Sequence, residues 1–83
     1  MEGKLFSIGK AAQKAGVSRQ SVQYYLMIGL LNAAQISKTG RRLFDEGSVQ
    51  RIKLIKQLND SGYPLREIKE VFLEKKLSNF RKE

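Results

Sequence analysis

Ser18, Arg19, Gln20, Gln23 and Tyr24 stand within one short stretch of the chain, and Lys38, Arg41 and Arg42 within another. The first group is polar and carries no acid. A glutamine amide donates and accepts at once, so it can pair bidentately with the edge of an adenine in the DNA major groove. The second group is cationic, and cations on a short protruding segment suit contacts to phosphate oxygens. Neither group combines a nucleophile, a base and an orienting partner, so no enzyme is expected. The 83 residues contain no histidine and no cysteine, which leaves little for a metal site and nothing for disulfides. No cofactor and no metal are expected.

The elements that must position these residues are legible locally. Gly16 can adopt the left-handed backbone that ends one helix sharply, and Ser18 can cap the next through its hydroxyl. Val17 before that cap and Val22 four residues into the helix can close a hydrophobic staple. At about 100° per residue, Val22, Tyr25 and Leu26 fall on one side of the helix. Gln20, Gln23, Tyr24 and Met27 fall on the other. An amphipathic surface helix that touches nothing shows the same two faces, so the surrounding chain has to tell the two apart.

Upstream, Ser7 is expected to cap a helix running to about Ala15, with Ile8, Ala11, Ala12 and Ala15 along one face. Small residues at that spacing let a second helix approach closely. Two helices joined by a short glycine turn form a helix-turn-helix, in which the second helix is the reader. Downstream, Gly29 ends the second helix, and Leu30 and Leu31 are expected in the core. Gln35-Ile36-Ser37 and Arg42-Leu43-Phe44 then flank Lys38-Thr39-Gly40-Arg41, a pattern that predicts a short β-hairpin. A solvated loop is the alternative for this segment.

Asp45 caps a third helix, with Phe44 and Val49 placed for a second staple. Val49, Ile52, Ile55 and Leu58, with Leu54 alongside, predict a core-facing stripe that leaves Arg51, Lys53 and Lys56 outside it. Gly62 stops this helix and Pro64 opens another. Leu65, Ile68 and Phe72, with Val71 beside them, make its apolar face. Arg66–Glu70 is a favourable i,i+4 pair and Glu70–Glu74 an unfavourable one.

Charge supplies the missing context. The net charge is +8 and the pI about 10.1. No acid occurs between Gly3 and Phe44. Residues 1–44 carry seven bases and one acid, residues 45–83 nine and seven. A chain with one cationic half and one mixed half suits a polyanionic partner. No apolar run is long enough to span a bilayer, and no signal-peptide pattern opens the chain. A membrane partner is therefore not expected.

The order helix, turn, helix, hairpin, helix, Gly-x-Pro-Leu, helix resembles the DNA-binding domain of the MerR family of bacterial transcription regulators. The resemblance is carried by Phe6-Ser7-Ile8-Gly9, Gly16-Val17-Ser18, Tyr24-Tyr25, Gly29-Leu30-Leu31, Thr39-Gly40-x-Arg42-Leu43-Phe44 and Gly62-x-Pro64-Leu65-x-Glu67-Ile68. It implies a mainly α fold: a winged helix-turn-helix of four helices, a short β-hairpin wing after the second helix, and a helix-loop-helix second wing. It also implies that the Ser18 helix enters the major groove while both wings grip the flanking backbone. Departures from the family pattern are Gln23 and Leu26 around the tyrosine pair, Arg41 where the wing usually has tyrosine, and Asn59 ahead of the second wing. One helix cation is thus absent and one hairpin cation added.

The resulting expectation is a single domain over 1–83. It divides into a helix-turn-helix at about 7–29, a hairpin wing at about 32–44, a helix-loop-helix at about 45–76 and a charged tail at 77–83. The expected function is sequence-specific binding of double-stranded DNA by a regulator of MerR type that lacks the family's long pairing helix and effector region. Ser18, Arg19, Gln20 and Gln23 are expected at the groove, and Tyr24, Lys38, Arg41 and Arg42 on phosphates. Arg42 holds the family's arginine position and is expected to contribute more than Arg41. Tyr25 is expected in the core. Further expectations are a monomer in isolation that can pair on a palindromic site or within a longer chain, RNA polymerase as a further partner, and a place in the bacterial cytoplasm at the nucleoid. The alternatives are an excisionase-like architectural DNA-binding protein and a protein-interaction adaptor on the same fold.

Overall fold

A computed structural model describes residues 4–72. The elements are α1 (Ile8–Ala15), α2 (Arg19–Met27), β1 (Gln35–Ile36), β2 (Arg42–Leu43), α3 (Glu46–Asp60) and a fourth helix, α4, over 65–72. The expected tail at 77–83 and the Glu70–Glu74 pair lie outside the described residues, wholly or in part.

Each of the first three helices starts on the side chain expected to cap it. Ser7 Oγ accepts the Lys10 amide at 3.3 Å, Ser18 Oγ accepts the Ser21 amide at 3.0 Å, and the Asp45 carboxylate accepts the Ser48 amide at 2.9 Å. The last contact, a hydrogen bond from backbone to carboxylate, holds the Asp45 carboxyl below its ordinary range. The helices also end alike. At α1 the Val17 amide bonds back to the Ala12 carbonyl and the Gly16 amide to the Gln13 carbonyl, with Gly16 at φ 78°. This paired closure needs a left-handed residue, which glycine adopts without a Cβ clash. The same two bonds recur at the ends of α2 and α3, around Gly29 and Gly62. Short helices with such defined ends fix the angle at which the next segment leaves.

The core lies where α1 packs against α2 and α3. Ala11, Ala12 and Ala15 line the contact, and Val22, Leu30, Leu31, Phe44, Val49, Ile52, Ile55 and Ile68 are essentially removed from water. Tyr25 joins them at 6 % exposure, and burial pushes its phenol pKa up. Val17 borders this core, as the staple requires. Two expected core positions do not belong to it. Leu54 is 44 % exposed and Val71 48 % exposed. Only one stripe of α3 faces α1, and Val49, Ile52 and Ile55 fill it. Leu54 falls outside that stripe, and Val71 falls outside the α4 face that Ile68 occupies.

Two long-range ties had no local signal. The lead-in is not a free end: Phe6 pairs antiparallel with Phe44, with N···O distances of 2.7 and 2.8 Å. This stitches the strand before α1 to the base of the hairpin. Arg51, outside the apolar stripe as expected, donates its Nε–H to the Leu30 carbonyl at 2.7 Å and lays its guanidinium 4.3 Å from the centre of the Phe72 ring. It thereby joins the end of α2 to α4 across α3.

Candidate nucleic-acid interface

The outward face of α2 is built by its buried one. With Val22 and Tyr25 pinned in the core, helical geometry turns Gln20, Gln23 and Tyr24 outward, and all three are exposed. Met27 completes the same face at 73 % exposure. Arg19 is the first helical residue and is exposed as well. Ser18 lies at the same end, but its hydroxyl is occupied: Oγ takes the Ser21 amide and donates to Ser21 Oγ at 3.0 Å. Its visible work is to hold the start of the helix.

The hairpin pairs Gln35 with Leu43 and Ile36 with Arg42. Its tip is tied by more than the backbone. The Ser37 amide bonds the Arg41 carbonyl at 2.8 Å, the Arg41 amide returns to Ser37 Oγ at 3.1 Å, and Ser37 Oγ and Thr39 Oγ1 are 3.1 Å apart. Lys38, Arg41 and Arg42 are all exposed around this closed turn. A wing fixed at its tip presents its cations at a set distance from the helix pair.

Helix α2 and the hairpin meet across a cleft of about 360 Å³ lined by Ser7, Ile8, Gly9, Arg19, Gln23, Gly40, Arg41 and Arg42. Four of the expected site residues, Arg19, Gln23, Arg41 and Arg42, therefore share one concavity. Gln20 and Tyr24 stand apart from it on α2, and Lys38 stands apart at the wing tip. No carboxylate lines the cleft. The ion pair found among the described residues, Lys56–Asp60 at 2.7 Å, is on the exposed side of α3. The contribution of Ser7, Ile8 and Gly9 was not legible beforehand. Their motif marks a helix start, but nothing local says that this start faces the wing.

Two capped helices joined by a glycine turn and followed by a basic hairpin define a winged helix-turn-helix. The family described as MerR HTH family regulatory protein matches residues 6–75. The chain belongs to this family of transcription regulators. It is 38 % identical over 66 residues to the uncharacterized HTH-type transcriptional regulator YyaN of Bacillus subtilis, covering 80 % of this chain and 48 % of that protein. It is 33 % identical over 63 residues to the mercuric resistance operon regulatory protein of Bacillus cereus, covering 76 % and 48 %. The chain thus spans about half the length of these curated relatives. Among solved structures it is similar to HiNmlR, a MerR family regulator lacking the sensor domain, bound to promoter DNA. That match has a TM-score of 0.76 at 28 % identity and covers 93 % of this chain and 68 % of that one.

Proposed function

We propose that this chain binds double-stranded DNA in a sequence-specific manner as the DNA-binding domain of a MerR-type regulator. The observation that carries the reading is the shared acid-free concavity of α2 and the wing, in which Arg19, Gln23, Arg41 and Arg42 meet. An amide able to read a base edge then sits beside guanidinium groups able to hold the adjacent backbone. Gln20 and Gln23 read bases, and Tyr24, Lys38 and Arg42 hold phosphates. Ser18 serves by fixing where α2 begins. The similarity to a regulator solved on promoter DNA supports this assignment.

The proposed partners are double-stranded DNA and, once the domain sits at a promoter, RNA polymerase. We propose that the 83-residue chain is monomeric in dilute solution and that two copies can occupy a palindromic site. The deciding experiment is a salt titration of binding to a random duplex and to a duplex enriched by in vitro selection. Affinity for both should fall linearly in a log–log plot against salt, with the selected duplex bound more tightly throughout. Absence of duplex binding at low salt by a folded protein would leave the fold as a protein-interaction adaptor.

A further inference from the structure

We infer that Met27 is a specificity-determining residue, which reads the C5-methyl group of a pyrimidine in the major groove from the same face of α2 as Gln20 and Gln23. The inference rests on the DNA-binding reading and adds an apolar contact to it, at a base pair distinct from those of the two amides.

Met27 is the last residue of α2 and, at 73 % exposure, the most exposed large apolar side chain among the described residues. A lone apolar residue on a surface means nothing by itself. Its place on the helix gives it meaning. At about 100° per residue, Met27 points about 20° from Gln20 and about 40° from Gln23, between the two. It points about 170° away from the mean direction of Val22 and Tyr25, which are buried in the core. Met27 is therefore at the crest of the outward face. Its backbone is also held firmly. The Ile28 amide bonds the Tyr24 carbonyl at 3.0 Å, and the Leu30 amide bonds the Tyr25 carbonyl at 2.9 Å. Leu30 and Leu31, which follow, are buried. Core contacts on both sides thus fix the stem of a side chain that itself touches little.

A helix face laid into the major groove meets donors and acceptors at every base pair. It meets one apolar group, the methyl on C5 of thymine. A thioether has no donor and is only a weak acceptor, so that methyl is the group it matches. Methionine is unbranched and polarizable, and adapts its shape to a small apolar target. 5-Methylcytosine presents the same methyl on the same carbon. The nine residues of α2 span about 14 Å, roughly four base pairs, so the last turn lies within reach of the groove that the first turn enters. Gln23 and Met27 are about 6 Å apart along the axis, against about 3.4 Å for each base pair. The methyl therefore belongs roughly two base pairs beyond the one read by Gln23, on the side away from Gln20.

The test uses the 83-residue chain and the duplex enriched by in vitro selection. Each thymine is replaced in turn by deoxyuridine, which removes the methyl and leaves the base pairing unchanged. Each cytosine is replaced in turn by 5-methylcytosine, which adds one. Loss of the methyl at one thymine should weaken binding about fourfold, the value of one methyl taken out of water. Met27→Ala should bind the thymine and deoxyuridine duplexes equally, and Met27→Leu should restore much of the difference. Both variants should keep the parent's urea midpoint, because the side chain has no core contact to lose. Met27→Ala should also leave the base preferences due to Gln20 and Gln23 unchanged, whereas a displaced helix would alter all of them together.

A methyl effect at a thymine assigns thymine as the ligand. A gain at a methylated cytosine that Met27→Ala abolishes, with no effect at any thymine, assigns 5-methylcytosine. The inference is overturned if no position depends on a methyl, or if the dependence persists in Met27→Ala. It is overturned equally if the sensitive position lies on the Gln20 side of the Gln23 base pair. In each of these cases selective binding of the duplex continues, so the DNA-binding reading stands and Met27 alone loses its role. A folded chain that binds no duplex overturns both.

Discussion

Gln20 and Gln23 lie about one helical turn apart on the exposed face of α2, yet only Gln23 borders the wing cleft. The two amides are therefore expected to read different base pairs, Gln23 the one nearer the wing. Replacing either with alanine removes no core contact and should leave the fold intact. Each replacement should lower discrimination at one base pair by about 1–3 kcal/mol, measured as relative affinity for the four bases at each position of a selected site. Unchanged preference in both variants would remove the glutamines from the reading role. Arg42 is expected to behave differently, because a phosphate carries no sequence. Arg42→Ala should weaken binding alike on every duplex and flatten the log K against log salt plot by no more than about one unit. A change in base preference with an unaltered salt slope would mean that the wing reads a groove.

Helix ends were the most legible elements, because caps and stops are local chemistry. Ser7, Ser18 and Asp45 each hold the amide three residues on, and the glycines close the helices they were expected to close. The hairpin followed from Thr39-Gly40 between two short apolar-polar runs. What escaped was tertiary. Leu54 and Val71 have the residue type of a core but face away from the one stripe that each helix buries. The Phe6–Phe44 bridge and the Arg51 tie join residues far apart in the chain. The cleft was half legible: its arginines stood out by charge, whereas the facing start of α1 did not. Asp45→Ala should destabilise the fold by about 1 kcal/mol near neutral pH, read from urea denaturation. The folded state holds the Asp45 carboxyl below its ordinary value, so the charge-dependent part of this stabilisation is present above the unfolded-state pKa. It is lost as pH falls through the lower, folded-state value. The gap between parent and variant should accordingly narrow only in acid. Arg51→Ala should cost about 2 kcal/mol, from a charge-assisted bond to the Leu30 carbonyl and a cation–π contact with Phe72. Arg51→Lys should recover little of it, since lysine lacks the planar group that does both at once. A loss no greater than that of Lys53→Ala, an exposed position on the same helix, would show that the tie is incidental.

At the scale of the whole molecule, size and charge set how copies can share a duplex. The net charge of +8 opposes close approach of free copies and favours association with a polyanion such as DNA. The molecule measures 38 × 31 × 22 Å along its principal axes. One turn of B-DNA separates half-site centres by about 34–36 Å, close to the two longer dimensions. Two copies on inverted half-sites one turn apart are therefore brought to contact distance, on the same side of the duplex. At two turns they stand clear of each other. Like charges at short range oppose the second arrival unless the phosphates between the copies screen them, and that screening weakens as bound cations neutralise the backbone. The second copy is accordingly expected to bind more weakly than the first at one-turn spacing and equally well at two. Sedimentation of selected duplexes carrying both spacings, titrated with the chain, measures the two steps directly. Tighter binding of the second copy at one turn would instead reveal an attractive contact between neighbours. A stable dimer in the absence of DNA would contradict the monomer outright, and the exposed apolar residues on α3 and α4, Leu54 and Val71, would be the first positions to substitute.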